Sequence, residues 1–534
     1  MRVLWLLPLA ACGRIGFGEQ RQCASDGCVA SLTVPDRTML PGTSAVLAVT
    51  GGDAATWAAP GGGSIAGNVF RADTAGDYPV VVTTTTGATA TGTVHVTSIV
   101  TPSVIAHTGD TTAPSGFASE HHGAWVPSAN EWWIWYGSRL DASDAQMLFA
   151  AHSASFDGWT QATSLPATQV GGDGRNLDVA VASLGGHAIV HATYGNEGRN
   201  RYHVRGEIAG GDIAWGAPEL VNSGGNEDPD GPSTVVTAGG RVIDATGWQA
   251  TPATPPLTPC GDGDNDLFIA DGADTGTTSF DAMTYTEQVI WCVPTRINNR
   301  RLLAIGETVF ELYDDGGSDP DPQNLFFNVR APDGTWAPDE TTYTPPPSVF
   351  STDRDFRLDD WSATIQGGRI HAIRRVDGTP QFEHRMYDPA TASWADGPAI
   401  ADGNAKSGNG VVVLPYGSNG VIALELRDND AGVEYAYWDA ATGWTAWQPL
   451  DTGAASGYAF IAGIEGAGDD KRPAVIWTQD AALVRGLEGS GSGGPDAMGS
   501  GSGSGADAPI DACECPPPDA PPGPGADLVG FELP

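Results

Sequence analysis

Lysine is nearly absent from this chain of 534 residues, in which only Lys406 and Lys471 occur. Lysine and arginine together number 26 against 65 aspartates and glutamates, which gives a formal net charge of −39 at pH 7. A field of that sign repels the phosphate backbone of nucleic acids. The composition therefore argues against a nucleic-acid partner and suits calcium-dependent or neutral ligands better. The alternative is that the acidity serves solubility alone.

Long hydrophobic runs are missing from the start of the chain. The apolar run over residues 3–9 is too short to span a bilayer as a helix and is typical of a signal peptide. It ends in Leu-Ala-Ala-Cys12, which resembles the lipobox of bacterial lipoproteins, and Gly13 resembles the residue that sends such proteins to an outer membrane. The resemblance implies a signal peptide over residues 1–12, acylation of Cys12, a linker over 13–29 and a lipid-anchored place in the cell envelope, at the outer membrane or cell surface. The alternative is an apolar N-terminus with a chance cleavage site.

Cysteine is scarce, and the spacing of a zinc site is absent. An even number of cysteines besides Cys12 in an exported chain is compatible with disulfides, although sequence cannot fix their pairing. We expect Cys23 and Cys28 to close a small loop, whereas a ring within Cys513-Glu514-Cys515 would be strained. The six cysteines are Cys23, Cys28, Cys260, Cys292, Cys513 and Cys515.

What the chain does contain is a repeat. A polar, turn-forming cluster followed by an aromatic residue returns every 50 to 65 residues or so, roughly the period of propellers and repeat arrays. The aromatic residues are Trp159, Trp215, Phe280, Trp336, Trp394 and Trp444. Each period also has a turn that leads into an alternating apolar strand, as at Gly185-Gly186, Gly239-Gly240 and Gly367-Gly368. Seven copies predict an all-β fold with a seven-bladed β-propeller over residues 102–488, and six blades are the alternative.

The clearest copy shows the four strands that a propeller blade needs. They lie at 178–183, 188–194, 202–208 and 215–221. The last repeat offers only three strands, near 458–464, 473–478 and 482–487, so we expect residues 103–107 to supply the fourth and close the ring. The repeated aromatic residues open the outer strands and are expected to pack between blades.

Two further segments flank the propeller. Residues 30–100 form a small all-β unit with alternating runs such as 65–72, and the loop at Asp73–Tyr78 resembles bacterial immunoglobulin-like domains, in which a tyrosine hydroxyl bonds back to the main chain. The resemblance implies an immunoglobulin-like sandwich that acts as a spacer. Residues 489–534 are rich in Gly, Ser, Pro, Ala and Asp, and they predict a disordered tail because they cannot bury enough apolar surface. The short apolar run at 528–531 has no role in this interpretation.

Loops that carry arginine enter three of the innermost strands on one face of the predicted propeller, around its central mouth. Arginine binds carboxylates through two parallel hydrogen bonds, so such a cluster could hold an acidic sugar. Here the chain resembles sialidase-like propellers, whose arginine triad grips a sialic acid carboxylate, although their Ser-x-Asp-x-Gly-x-Thr-Trp box survives only in fragments at 153–159. The alternative is that these arginines pair with neighbouring aspartates. The ligand-binding candidates are Arg175, Arg300, Arg354, Arg357, Asp178 and Asp359.

An insertion in the third repeat, at 251–266, adds acidic residues to the same face. Asp262, Asp264 and Asp266 alternate in a glycine-bearing loop and supply the oxygen ligands that Ca²⁺ prefers, and the segment resembles the calcium loops of other repeat proteins. A solvated acidic loop is the alternative. A disulfide between Cys260 and Cys292 would fasten the insertion over the mouth.

The predicted function is a surface lipoprotein whose propeller binds a glycan or a surface protein, since no catalytic set is visible. No Gly-x-Ser-x-Gly elbow occurs, and no Tyr and Glu pair can be placed as a sialidase nucleophile. The alternatives are a sialidase-like glycoside hydrolase that uses Arg175, Arg300 and Arg357, and a structural envelope protein without activity.

Binding of residues 102–488 to a broad glycan array, with calcium and again with a chelator, tests this interpretation. We expect a specific signal that is lost on substitution of Arg175 and Arg357, and loss with the chelator would implicate the aspartate loop. A blank array with folded protein would contradict the glycan hypothesis.

Overall fold

The computed structural model describes residues 22–24, 27–29, 32–52, 54–100, 102–107, 120–138, 147–165, 177–195, 200–222, 232–249, 265–276, 281–287, 299–314, 325–337, 349–350, 361–376, 381–401, 410–417, 420–426, 432–450, 458–466, 473–479 and 527–533. These residues form strands and turns, and they include no helix long and apolar enough to cross a membrane. The chain divides into two compact units, Met1–Thr97 and Ser98–Pro534.

The first unit contains two sheets around one apolar core. Its strands are β1 (Gln22–Ala24), β2 (Gly27–Val29), β3 (Arg37–Met39), β4 (Ser44–Val46), β5 (Ala54–Ala58), β6 (Ser64–Ala66), β7 (Val69–Arg71), β8 (Gly76–Thr84) and β9 (Thr89–Val96). One sheet has the order β3-β9-β8-β5 and the other β4-β7-β6, with Phe70, Val82 and Val94 fully buried in the core. The strands β1 and β2 form a separate hairpin in which Cys23 is paired with Cys28 in the backbone register. The disulfide between these two cysteines stays a prediction.

Local details of this unit test two expectations. The predicted tyrosine corner is present, because the Tyr78 hydroxyl donates to the Thr74 carbonyl at 2.9 Å. The single strand expected at 65–72 is wrong, because the chain turns at Gly67, whose φ of 64° suits glycine, and returns as β7. Asn68 supports this turn by donating to the Leu47 carbonyl at 3.0 Å. The immunoglobulin-like assignment as a whole stays a prediction.

The second unit is a ring of antiparallel sheets, which we number as blades in chain order. The chain enters it through β10 (Ser103–His107). Blades 1 to 3 contain β11 (Gly123–Val126), β12 (Glu131–Ser138), β13 (Met147–Ser153), β14 (Thr160–Gln161); β15 (Leu177–Leu184), β16 (His187–Gly195), β17 (Arg201–Ala209), β18 (Asp212–Trp215), β19 (Glu219–Asn222); and β20 (Ser233–Val236), β21 (Arg241–Gln249), β22 (Asn265–Ala273), β23 (Asp281–Glu287). Blade 2 thus reproduces the four predicted strands, except that the run at 215–221 is split into β18 and β19, which both pair with β17.

The remaining blades repeat the same meander. Blades 4 to 6 contain β24 (Arg300–Ile305), β25 (Thr308–Asp314), β26 (Leu325–Arg330), β27 (Trp336–Ala337); β28 (Trp361–Gln366), β29 (Arg369–Val376), β30 (Gln381–Asp388), β31 (Ser393–Asp396), β32 (Ile400–Ala401); and β33 (Val411–Tyr416), β34 (Gly420–Leu426), β35 (Val433–Asp439), β36 (Gly443–Trp444), β37 (Gln448–Pro449). Blade 7 contains β38 (Tyr458–Ile464), β39 (Ala474–Gln479) and β40 (Asp527–Glu532). Each innermost strand contacts the innermost strand of the next blade, and β38 contacts β11, so the described ring closes with seven sheets. The predicted all-β propeller is confirmed.

Blade 7 corrects the prediction at the end of the chain. As expected, β10 at residues 103–107 is its fourth strand, and the strand order is β10-β40-β39-β38. The third strand is β40, however, so residues 527–533 belong to the propeller and not to a disordered tail over 489–534. Leu528 and Leu533 are fully buried. Their burial offsets the conformational entropy that is lost when residues 527–533 become ordered. The predicted strand at 482–487 lies outside the described residues, as does the rest of the tail. A fragment that ends at residue 488 would lack the closing strand.

Apolar side chains fill several of the junctions between blades, which we call seams. Described clusters join blades 7 and 1, 1 and 2, 3 and 4, 4 and 5, and 5 and 6. The repeated tryptophans belong to these clusters or pack against them: Trp159, Trp215, Trp336, Trp394 and Trp444. Their predicted packing role is confirmed, and Phe280 lies outside the described residues.

Truncation of Leu528 tests the closing strand. We expect Leu528→Ala to lower the free energy of unfolding by about 2–5 kcal/mol, because a fully buried leucine is replaced by a cavity. Val104→Ala on the neighbouring strand is the control, since Val104 is 46% exposed, and it should change stability by about 0.5 kcal/mol or less. Chemical denaturation of the full chain measures both, and equal effects would contradict the placement of β40.

Candidate ligand-binding sites

The described members of the predicted ligand-binding set lie where innermost strands begin. Asp178 is the second residue of β15 and Arg300 is the first residue of β24, and both side chains are fully buried. The other four candidates, Arg175, Arg354, Arg357 and Asp359, lie outside the described residues. Their roles therefore stay predictions.

Asp178 connects three blades. Its Oδ1 accepts a hydrogen bond from the His121 backbone N–H and lies 3.0 Å from His121 Nδ1. Its Oδ2 accepts hydrogen bonds from Ser233 Oγ at 3.2 Å and from the Thr234 N–H at 2.5 Å. With both oxygens bonded to protein groups and no exposed surface, Asp178 acts in this structure as a connector between the starts of innermost strands.

Consecutive arginines in β24 face opposite sides of the strand. Arg300 interacts electrostatically with Glu311, to which Asn328 donates at 3.4 Å. Burial raises the pKa of Glu311 to about 7, although Arg300 and Asn328 oppose this shift. Arg300 has no exposed surface, so contact with a soluble ligand would require the seam to open.

Arg301, the neighbour of Arg300, points toward the axis of the ring. Its Nη2 lies 4.0 Å from a carboxylate oxygen of Glu465 in blade 7, and the same oxygen accepts a hydrogen bond from Thr364 in blade 5 at 2.5 Å. Arg301 also interacts electrostatically with Asp178 in blade 2. Groups from blades 2, 4, 5 and 7 can meet only near the centre, and Glu465, at 39% exposure, is the accessible member of this group.

The predicted calcium loop is largely outside the described residues. Asp262 and Asp264 are not among them, and Asp266 is described only as a backbone position in β22, paired with Trp248. No cluster of three or more metal-ligating side chains occurs in the described part of the chain. Calcium binding stays a prediction, as does the disulfide between Cys260 and Cys292.

The seam between blades 2 and 3 is filled by buried polar side chains. Thr193 and Thr234 hydroxyls lie 2.9 Å apart, and Thr234 donates to Asp244. Burial raises the pKa of Asp244 well above its ordinary value, and the nearby charge of Asp178 adds to the shift. This part of the seam connects two blades but offers no surface to a ligand.

A histidine relay continues the same seam. His191 Nε2 lies 3.2 Å from Asp274 and therefore carries a proton, so its Nδ1 accepts from His203 Nε2 at 3.0 Å. Burial lowers the pKa of both histidines, which keeps them neutral near pH 7. Burial alone would raise the pKa of Asp274, but hydrogen bonds from His191, Arg205 and the Gly276 N–H hold it well below the usual range.

Blade 5 repeats the histidine pair in the same diagonal register. His384 Nδ1 accepts from Trp444 Nε1 at 3.2 Å, so His384 Nε2 donates to His371 Nδ1 at 3.1 Å. Burial lowers the pKa of His371 to about 4 and that of His384 to about 3. The two pairs are structural counterparts in blades 2 and 5, and sequence reasoning missed them because it did not align the second and third strands of the repeats.

A second repeated arrangement lies on the opposite face, where hairpins connect first to second and third to fourth strands. Here the first residue of the second strand pairs with a residue near the end of the third strand, and both face the next blade. The pairs are Glu131 with His152, His187 with Glu207, Arg241 with Asp271, and Arg369 with Asp388. In three of these seams the next blade contributes a tryptophan to the same junction, namely Trp215, Trp336 and Trp444. The signal was present in the sequence, because His187, Arg241 and Arg369 directly follow the Gly-Gly turns.

The seam between blades 3 and 4 is the most strongly charged of these. Asp271 Oδ2 accepts hydrogen bonds from Arg241 Nε at 2.9 Å, from Arg241 Nη2 at 2.6 Å and from Arg330 Nη2 at 2.6 Å. Trp336 is paired with Arg330 in the register of blade 4, so its indole stands in the same row. We call Arg241, Asp271, Arg330 and Trp336 the Arg330 cluster.

Three polar atoms of the Arg330 cluster lack a hydrogen-bond partner among the described residues: Arg330 Nη1, Asp271 Oδ1 and Trp336 Nε1. The side chain of Arg330 is 5% exposed and that of Arg241 is 47% exposed, so the cluster runs from the interior to the surface. Buried polar atoms without partners are costly, so each needs a physical explanation, and a bound ligand or an ordered water is one such explanation.

Comparisons with known proteins give fold neighbours only. No family model matches the chain, and no curated protein matches it. Among solved structures, a fucose-recognising lectin from Aleuria aurantia, described as a six-bladed β-propeller, is 12% identical and covers 58% of this chain and 89% of the lectin at a TM-score of 0.35. A protein of unknown function from Dyadobacter fermentans is 13% identical, with coverage of 66% and 93% and a TM-score of 0.35. A Hadza microbial sialidase is 11% identical, with coverage of 67% and 73% and a TM-score of 0.36. With TM-scores this low, these likenesses assign neither ligand nor activity.

The pKa of Glu311 gives a pH dependence that can be measured. Its folded-state pKa of about 7 lies above the ordinary value of 4.5, so its contribution to stability is present below the unfolded pKa and is lost as pH rises through 7. We expect the stability of Glu311→Gln relative to the wild type to rise between pH 4.5 and pH 7, by about 3 kcal/mol at most. Urea unfolding at several pH values measures this difference. A difference that does not change with pH would contradict the buried, protonatable state.

Proposed function

We propose that the propeller is a carbohydrate-binding module whose principal site is the Arg330 cluster at the seam of blades 3 and 4. The observation that carries the proposal is the set of three polar atoms without partners in the described residues: one guanidinium donor, one indole donor and one carboxylate acceptor. Arg330 donates a hydrogen bond to the Asp271 carboxylate, and Arg330 is paired with Trp336 in the strand register of blade 4. These contacts bring the three side chains together.

The chemistry of this set suits a sugar. Each hydroxyl group of a sugar can donate and accept a hydrogen bond. Two neighbouring hydroxyl groups can therefore accept from the free arginine N–H and donate to the free carboxylate oxygen at the same time. Trp336 packs in the seam at 8% exposure, so its indole offers a sugar the N–H at its edge and not its ring face. Pockets that bind small molecules typically combine apolar surface with a few converging polar groups of this kind.

Repetition supports the same function. Glu131 and His152 face Trp215 across the seam of blades 1 and 2, and an equivalent arrangement in blade 5 faces Trp444 across the next seam. Several weak sites on one rigid ring would raise the avidity for a glycan surface without any new contact. The proposed setting is an envelope lipoprotein anchored through Cys12, which would present these seams to surface glycans.

The hydrolase alternative has less support from the described residues. It depends on Arg175, Arg300 and Arg357, of which only Arg300 is described, and Arg300 is fully buried beside Glu311. A protein ligand for the same seams remains the second form of the binding proposal, and the array below separates the two.

A glycan array probed with the full chain tests the proposal. Arg330→Gln should weaken binding to any positive glycan by about tenfold or more, because a hydrogen bond from a charged donor is lost. Trp336→Phe keeps the apolar ring but removes Nε1, so it should also weaken binding. Arg71→Gln in the first unit is the control of equal charge change and should bind like the wild type.

The melting temperature of each variant shows whether its propeller is intact. Unchanged binding by folded Arg330→Gln, together with loss of binding by Arg175→Gln or Arg357→Gln, would place the ligand at the central mouth instead. A signal that disappears with a chelator would implicate the loop of Asp262, Asp264 and Asp266. A blank array with folded wild-type chain would contradict carbohydrate binding.

A further inference from the structure

The strand β40 occupies an unusual place in blade 7. It lies between β39 and β10 and is paired with both, although β39 ends at Gln479 and β40 begins only at Asp527. All six residues of β40 are paired with β39, from Ala474 opposite Glu532 to Gln479 opposite Asp527. On the other edge, four residues of β10 pair with β40 across one irregularity.

Side chains and one further backbone bond hold β40 in this slot. Leu528 is fully buried in the cluster that joins blades 7 and 1. Leu533 is also fully buried, and its N–H donates to the Pro473 carbonyl at 2.9 Å. The segment 527–533 therefore has the contacts of a bound peptide: ladders on both edges and an apolar anchor at each end.

The composition of the connecting sequence predicts that it adds little to this binding beyond proximity. Residues 489–526 are rich in glycine, serine and proline and carry few apolar side chains, so their composition predicts a flexible linker and not a packed element. A linker of this composition and length has a root-mean-square span of roughly 31–37 Å, and it would supply the strand at an effective concentration in the millimolar range.

We propose that the segment 527–533 is an exchangeable peptide ligand of the propeller, and that the slot between β39 and β10 is a strand-acceptor site specific for this segment. The slot recognises the strand through backbone hydrogen bonds and selects it through the pockets of Leu528 and Leu533. Among the described strands of its sheet, β10 pairs only with β40, so release of β40 also leaves β10 without a ladder.

Cleavage of the linker in the full chain tests the proposal. A recognition sequence for a specific protease is inserted after Gly501, and the protein is cut under reducing conditions, so that Cys513 or Cys515 cannot hold the pieces together by a disulfide. We expect the fragment with β40 to co-elute with the propeller in size-exclusion chromatography. The melting temperature of the cut protein should depend on its concentration, because the strand has become a separate ligand.

A labelled synthetic peptide of residues 524–534 provides the exchange measurement. At a temperature just below the melting temperature of the cut protein, the peptide should replace the fragment within a day, and uptake by the uncut chain should be at least tenfold lower because the tethered strand competes. The matched control peptide carries Leu528→Glu and Leu533→Glu and should not enter.

Two results would overturn the proposal. Loss of the fragment on cutting, with an unchanged melting temperature, would show that the strand contributes nothing to the blade. A fragment that stays bound but does not exchange with the peptide, or equal uptake of the control peptide, would show that the slot is not a specific and exchangeable acceptor.

Discussion

The ring depends on closure of blade 7. In a propeller, the first and last strands of the chain would each leave a sheet edge with unpaired N–H and C=O groups. Placing both ends of the chain in one blade removes this exposure and closes the ring. Here β40 pairs with β10 on one edge and with β39 on the other, so segments from opposite ends of the second unit complete one blade. The innermost strands can then contact one another around the whole axis, and each seam acquires a fixed width in which side chains of neighbouring blades must match.

Fixed seams explain why charged groups occur in two different situations. Where the partners come from facing strands, as in the relay from His203 through His191 to Asp274, the polar groups contact one another and connect two blades. Where a pair stands at the rim, one end stays open to solvent, as for Arg241 in the Arg330 cluster. The first arrangement stiffens the ring, and the second leaves hydrogen-bonding atoms available to a ligand. Burial alone does not distinguish a structural cluster from a binding site; the Arg330 cluster differs in that it reaches solvent through Arg241.

The sequence allowed prediction of what is local or repeated. The period of the aromatic residues, the Gly-Gly turns and the alternation of blade 2 were sufficient for four strands per blade, because hairpins are specified by adjacent residues. The strand β40 was missed since six residues after a low-complexity segment resemble a tail until their partners are known. The orientation of Arg300 was missed for a related reason. Neighbouring side chains of β24 point in opposite directions, one into the seam and the other toward the axis of the ring, and only the strand register decides which arginine faces the centre. The Arg330 cluster combines residues about 60 to 95 positions apart, on two blades, so no local pattern could bring Arg241 and Arg330 to one carboxylate.

The overall charge of −39 places a further constraint on what the rim can bind. Long-range repulsion of anionic ligands is screened within about a Debye length at physiological salt, whereas contacts inside a seam are screened far less. Arg241 and Arg330 share Asp271, and Arg330 also interacts electrostatically with Asp333, so these four charges cancel locally although the chain as a whole is acidic. The global charge therefore disfavours polyanions, which extend far beyond one seam, but it does not disfavour a single sugar residue that fits between two blades. For this reason an extended nucleic acid and a compact glycan, although both can offer hydrogen-bonding oxygens, are not equivalent candidates for this ring.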